Sequence, residues 1–319
     1  MRGVRGGLPV ATGGVELGDA RVLRPGGLRW LRAIGWMAIL AVLAILTFNV
    51  AADTVLRVAA WAGGTHFTTR AAAPADARLI AVIVASIAML AVYALAVRLG
   101  EGRSADELAL MPLLPEAIGG LVIGGLIMAA IIGALAVAGM VTIEAVPVTH
   151  IAESVKATIQ SAVIEETLLR LVIFRLLWRA FGVWPALLLA ALLFGALHLG
   201  NPDATLFSAL CLIAGEGIGA GLYMLTGRPW LSIGMHAGWN FTQGWIFGSA
   251  VSGVGFFAGG PLVTRPVLGV APFLSGGGFG PESSLFSLII SLVASIAILS
   301  LAWAKGGFRE RATAGPASA

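Results

Sequence analysis

The sequence predicts an all-α protein, a polytopic membrane bundle of about eight transmembrane helices. Of its 319 residues, 58% are hydrophobic and only 11% are charged, whereas soluble domains carry about 25% charged residues. The apolar residues form runs close to the roughly 20 residues that a membrane-spanning helix needs. Arginines stand at the ends of these runs, as membrane topology requires.

Eight apolar runs are the candidate spans, and proline marks the first turn of two of them, at Pro185 and Pro229. The first run is longer than the 7–15 apolar residues of a cleavable signal, so it predicts an uncleaved signal anchor. Residues 251–283 are broken by Gly and Pro and predict an outer loop. The predicted spans are 33–52, 79–97, 117–143, 155–177, 183–199, 204–226, 230–250 and 284–303.

These spans define one membrane domain, residues 33–303. The polar, Gly-rich residues 1–32 predict a disordered tail, and residues 304–319 form a short C-terminal tail. With the N-terminus in the cytoplasm, the inner segments hold 14 Lys and Arg and the outer segments hold 4. This bias predicts that both termini face the cytoplasm, and we expect the cytoplasmic (plasma) membrane as the location.

Composition also limits the partners. The chain is basic, but its arginines form no block, so we expect membrane lipids as partners and no nucleic acid. The single cysteine, Cys211, excludes a disulfide within the chain. The string GEGIGAG at 215–221 lies within an apolar run without a preceding strand, so it indicates close helix packing and not a nucleotide site.

Ionisable residues inside spans are the best functional candidates, because burial in lipid is costly. Glu165, Glu166 and Arg170 lie in the fourth span, in SAVIEETLLR. Glu166 and Arg170 are four residues apart and predict an ion pair along one helix face. Glu165 is rotated by about 100° from Glu166, so it is free to face a cavity.

The later spans supply partners for this carboxylate. His198 ends the fifth span four residues after Phe194, and the seventh span carries His236 and Asn240 at the same spacing. A Glu and a His together can activate water, and a second His with an Asn can stabilise an oxyanion. This set predicts a hydrolase acting on a carbonyl group, most simply a peptide bond.

The ordered motifs Glu-Glu-x-x-x-Arg, Phe-x-x-x-His and His-x-x-x-Asn resemble those of the CPBP family of intramembrane proteases. This family includes the CAAX prenyl endopeptidases and bacteriocin-processing enzymes, and the resemblance covers roughly residues 100–303. It implies an eight-helix core and an endopeptidase that acts on a membrane-associated or peptide substrate. It also implies that Glu165 and His198 activate water, that His236 and Asn240 form the oxyanion hole, and that Glu166 and Arg170 support Glu165.

Two alternatives stay open at this stage. Family members are often labelled metalloproteases, and Glu165, His198 and His236 could together hold zinc. No His-Glu-x-x-His motif is present, so we favour a mechanism without a metal or other cofactor. A non-proteolytic protein, a transporter or a bacteriocin-immunity protein, could use the same bundle. Depth counted along each span places His236 nearer the cytoplasm and His198 nearer the outside, a wider spread than one site allows.

Overall fold

The apolar runs fold into a bundle of long helices in the computed structural model, which describes residues 14–311. Short π-helical segments, each continuous with an α-helix, lie at Val97–Glu101, Thr167–Phe174 and Thr242–Ile246. Two strands, β1 (Val141–Ala145) and β2 (Leu262–Pro266), pair antiparallel. The helices are α1 (Arg29–Ala62), α2 (Ala75–Ala96), α3 (Leu113–Val137), α4 (Ile151–Glu166), α5 (Arg175–Phe181), α6 (Val183–His198), α7 (Leu206–Thr226), α8 (Trp230–Phe241), α9 (Pro272–Ser275) and α10 (Leu285–Ala304).

Each predicted span coincides with a helical segment of the described chain, and the all-α membrane bundle is confirmed. By length and composition, the helices at Arg29–Ala62, Ala75–Glu101, Leu113–Val137, Leu206–Thr226 and Leu285–Ala304 could each cross a membrane. Helix α6 is apolar but has only 16 residues. The other two segments, α4–α5 and α8, carry most of the polar residues of the predicted site, and this lowers their hydropathy.

The connections differ from the prediction in two places. The third span was predicted to reach residue 143, but α3 ends at Val137 and β1 follows after a left-handed turn at Gly139. The β-branched Val141, Thr142 and Ile143 favour an extended strand over a helix. The predicted loop 251–283 supplies β2, the partner of β1, and the short helix α9.

The predicted disordered tail is wrong for its described part. Residues 1–13 lie outside the described chain, but residues 14–23 pack against the bundle, and α1 already begins at Arg29. The side chains of Val15, Leu17 and Leu23 are buried, and the backbone of Val15 accepts a hydrogen bond from Arg311 N. Burial of these apolar side chains stabilises the segment despite its polar, Gly-rich composition.

Helix α8 is positioned by unusually close contact with α3. A Cβ atom at Gly120 or Gly124 of α3 would overlap the backbone of Leu231 or Met235 in α8. Gly234 and Gly238 of α8 likewise meet the backbone of α3. Small residues allow helix backbones to approach closely within membranes, so these glycines fix the rotation of the helix that carries His236 and Asn240.

A buried ionic cluster ties α5 to the segment that follows α2. Arg175 donates to both carboxylate oxygens of Glu101, at 2.6 and 2.8 Å. Arg103 donates to Glu101 at 2.8 Å and to both oxygens of Glu107, at 2.8 and 2.9 Å. Burial raises the pKa of Glu107, but the hydrogen bonds and charge of Arg103 outweigh burial and bring that pKa to about 2. The cluster anchors the far end of the helix that carries Glu165.

Candidate active site

A cavity of about 590 Å³ lies between α4, α6, α7, α8 and the segment 251–283. All six residues singled out in the sequence line this cavity: Glu165, Glu166, Arg170, His198, His236 and Asn240. Apolar side chains such as Phe194, Trp239 and Phe257 form much of the remaining wall. An apolar cavity with a few convergent polar groups is the usual form of a binding or catalytic site.

The two histidines converge on Glu165. Oε2 of Glu165 lies 4.0 Å from Nε2 of His198 and 3.8 Å from Nε2 of His236. The Glu165 side chain is 32% exposed, whereas the two imidazoles are 15% and 12% exposed. The carboxylate therefore faces the cavity space, and the separations leave room for a small molecule such as water to bridge the three groups.

Backbone contact fixes the ring of His198. Its Nδ1 lies 2.8 Å from the carbonyl oxygen of Phe194. Since a carbonyl oxygen only accepts hydrogen bonds, Nδ1 carries the donated proton. The ring of Phe194 also packs edge-on against the imidazole, with centroids 4.5 Å apart. In its neutral form, His198 therefore presents the Nε2 lone pair to Glu165.

Glu166 turns away from Glu165 and orients His236. Its Oε2 accepts from Nε of Arg170 at 2.7 Å, the ion pair predicted from the spacing, and its Oε1 lies 3.1 Å from Nδ1 of His236. Arg170 also contacts both carboxylate oxygens of Glu216 on α7. A Cβ atom at Gly219 would overlap the Arg170 guanidinium, so this glycine makes room for the buried cation.

Asn240 approaches α4 through a residue that the sequence analysis did not identify. Its Nδ2 donates to Oγ of Ser161 at 3.0 Å. Ser161 lies one helical turn before Glu165 on the same face, and both side chains line the cavity. Glu216 is a second residue that the structure adds to the site, because it accepts hydrogen bonds from Arg170, which lies 46 residues away in the sequence. A glutamate in the middle of an apolar run was the only sequence signal for it.

The predicted spread in depth between His198 and His236 is wrong. Both Nε2 atoms lie within 4.0 Å of Oε2 of Glu165, so the two helices do not both cross the full thickness of the membrane in the same way. Helix α6 has 16 residues, about 24 Å at 1.5 Å per residue, so its end falls short of a hydrocarbon core of about 30 Å. The segment 251–283 covers this end, where Nδ2 of Asn201 donates to the carbonyl oxygen of Ser252 at 2.9 Å.

The donor set is chemically suited to zinc, but the donors are spread too widely in this conformation. Two imidazole nitrogens and a carboxylate are common zinc ligands, with bonds of about 2.0–2.2 Å. Tetrahedral geometry would place such ligands about 3.3 Å from one another, shorter than the 3.8 and 4.0 Å observed. Among residues 14–311, no group of three His, Cys, Asp or Glu side chains is placed to hold a metal ion.

A comparison with family models decides the class of protein. Residues 145–242 match the model described as Rce1-like, type II CAAX prenyl endopeptidase Rce1-like. The matched segment belongs to the CPBP family of intramembrane proteases. The resemblance seen in the motifs is thereby confirmed, and so is the assignment to the proteases. No curated protein and no solved structure matched the chain significantly.

The matched segment of this CPBP protease runs from Ala145, the last residue of β1, to Thr242, the residue after α8. It contains all six residues of the candidate site but is shorter than the range of 100–303 expected from the motifs. The N-terminal segment, the first three helices, the whole segment 251–283 and α10 lie outside the match.

Proposed function

We propose that this CPBP protease hydrolyses peptide bonds of membrane-associated substrates with a water molecule activated by Glu165 and His198. The observation that carries the proposal is the convergence of two imidazole Nε2 atoms on Glu165, at 4.0 and 3.8 Å, inside the cavity. We further propose that the protein acts in the cytoplasmic membrane. The predicted orientation, with both termini in the cytoplasm, remains part of this proposal.

Water activation follows from the groups at Glu165. A water molecule between its carboxylate and Nε2 of His198 would donate one hydrogen bond to each. Either group can take the proton as the water oxygen attacks the substrate carbonyl. The same proton can then pass to the leaving amine, since the accepting group becomes a general acid after the attack. The His198 Nδ1 contact with Phe194 holds the imidazole ready for this role.

His236 and Asn240 are placed to stabilise the oxyanion that forms on attack. His236 donates from Nε2 only when its ring carries both protons, and the Glu166 carboxylate at Nδ1 accommodates such a ring. Asn240 offers the second N–H group of its amide, because the first is held by Ser161. Two donors aimed at a developing negative charge in a partly dry cavity lower the barrier more than they would in water.

Substitution of Asn240 tests the oxyanion hole. We expect Asn240→Ala to lower kcat about 100- to 1,000-fold with little change in KM, because the lost donor acts mainly in the transition state. The measurement is cleavage of fluorogenic peptides by the purified protein in liposomes. Asn201→Ala is the matched control, since Asn201 lines the same cavity but donates to a backbone carbonyl. Equal losses in the two variants would argue against an oxyanion role for Asn240.

We propose that the reaction proceeds without a bound metal. The separations at Glu165 are wider than a tetrahedral zinc site requires, and an acid–base mechanism uses all four site residues. The purified protein is incubated with a strong chelator, the chelator is removed, and metal analysis verifies that no zinc remains. Peptide cleavage by this metal-free protein should then equal that of the untreated protein. Loss of activity that zinc restores would overturn this part of the proposal, and Glu165, His198 and His236 would then be its ligands.

A further inference from the structure

The start of α4 carries a charged group that the proposed chemistry does not use. Lys156 pairs with Glu153 one turn earlier, and Nη2 of Arg78 on α2 lies 2.9 Å from the other oxygen of Glu153. The side chains of Arg78, Glu153 and Lys156 are 23%, 18% and 15% exposed. All three line the same cavity as Glu165. Two cations share one carboxylate, so this group, here called the basic end, has a net charge of +1.

The basic end has unused hydrogen-bonding capacity. Nε of Arg78 is buried without a hydrogen-bond partner in the described part of the chain. The Lys156 ammonium has one carboxylate partner and lies 5.8 Å from the ring centroid of Phe256, which leaves at least one of its three donors free. A partly buried, net-positive group with free donors favours an anion, because the interaction is screened less than at the open surface.

Charge elsewhere in the cavity restricts where an anion can sit. Arg170 is already enclosed by Glu166 and Glu216, and Glu282 is a further carboxylate in the wall. Glu282 accepts from Nε1 of Trp239 and from Ser252. In the lining of the described cavity, cations outnumber carboxylates only at the basic end. A substrate carboxylate is repelled from Glu165 and attracted there.

One face of α4 joins the basic end to the catalytic carboxylate. Gln160, Ser161 and Ile164 line the cavity between Lys156 and Glu165 and carry no charge. Glu165 lies nine positions after Lys156, which corresponds to about 14 Å along the helix. An extended peptide covers this distance in about four residues, at 3.3–3.6 Å per residue. A peptide lying along this face could reach both ends at once.

We infer that Arg78 and Lys156 form a subsite for a carboxylate of the peptide substrate, about three to five residues from the bond that is cleaved. The carboxylate is either the C-terminus of the peptide or an Asp or Glu side chain. The inference rests on the proposed function for the position of the cleaved bond. It adds a recognition element that explains why α4, within the membrane domain, carries a lysine and a glutamate near its start.

The test compares peptides that differ by one carboxylate. A cleaved peptide is made with Glu or Gln at each position from two to six residues on either side of the cleaved bond, and with a free or amidated C-terminus. We expect kcat/KM to be higher by about ten-fold or more for the carboxylate at one of these positions. Preference for the free C-terminus identifies the α-carboxylate, and preference for Glu over Gln identifies a side chain.

Variants then connect the preference to the basic end. The ratio of kcat/KM for the carboxylate peptide to kcat/KM for its uncharged counterpart should fall toward one in Lys156→Met, because only cleavage of the carboxylate peptide becomes slower. Lys156→Arg should retain the ratio. Arg265→Met is the matched control, because Arg265 on β2 pairs with Glu144 on β1, and both side chains are well exposed and outside the cavity lining. The inference is overturned if Lys156→Met and Arg78→Met leave the ratio unchanged, or lower both peptides equally.

Binding keeps this test independent of turnover. The affinity of the same fluorescent peptides is measured on Glu165→Gln protein in liposomes, where the basic end is intact. Tighter binding of the carboxylate peptide, lost on adding Lys156→Met, supports the subsite even if the wild type cleaves none of them. In that case the proposed function fails and the subsite stands. If the wild type cleaves the peptides without any preference for a carboxylate, the proposed function stands and the subsite fails.

Discussion

Replacing Glu165 by Gln should abolish peptide hydrolysis. The substitution keeps the size of the side chain and removes the carboxylate on which His198 and His236 converge. Loss of a general base typically costs about 100- to 10,000-fold in rate, and we expect the upper end because Glu165 also positions the water. The measurement is kcat/KM for a fluorogenic peptide with purified protein in liposomes. Cleavage at the wild-type rate by folded variant would contradict the proposed mechanism.

A folding control is straightforward at this position. Glu165 is partly exposed to the cavity, and both of its closest charged contacts are at 3.8 Å or more. The thermal unfolding midpoint of the Glu165→Gln variant in detergent should therefore remain close to that of the wild type, as for most substitutions at exposed sites. Glu144→Gln is the matched variant, since Glu144 lies in β1, outside the cavity lining, and pairs with the exposed Arg265. It should retain both stability and activity.

The local part of the site could be predicted from the sequence. The Glu166–Arg170 pair depends only on the four-residue repeat of one helix, and it forms as the spacing indicated. The helical positions followed from long apolar runs, which have few alternative structures in a membrane. The rotation of Glu165 away from Glu166 also follows from helix geometry. These features require no knowledge of how helices pack.

The tertiary part could not be predicted. The meeting of His198 and His236 at Glu165 depends on the short α6 and on the glycine contacts that set α8 against α3. The Arg170–Glu216 contact joins two helices, and no periodicity within either one indicates it. The burial of Leu17 and Leu23 likewise depends on a surface formed by distant helices. Composition alone therefore described residues 14–23 wrongly as a disordered tail.

Replacing Arg170 by Met should have the largest effect on stability. Arg170 is almost completely buried and contacts both Glu166 and Glu216, whose side chains are also buried. Its removal leaves two carboxylates without their cation. Breaking a buried ion pair by deleting one partner costs about 3–5 kcal/mol. We expect a fall of several degrees in the thermal unfolding midpoint of the purified protein and less monodisperse protein on size exclusion in detergent.

A double-mutant cycle separates the ion pair from simple loss of packing. Glu216→Gln removes one carboxylate, so adding it to Arg170→Met should restore part of the lost stability, with Glu166 still held by His236. Residues in one ionic network show coupling of about 0.5–3 kcal/mol. Strictly additive losses would mean that Arg170 contributes by packing alone. If coupling is found, activity should recover less than stability, because Glu166 loses the partner that fixes its hold on His236, and the oxyanion donor is then less well oriented.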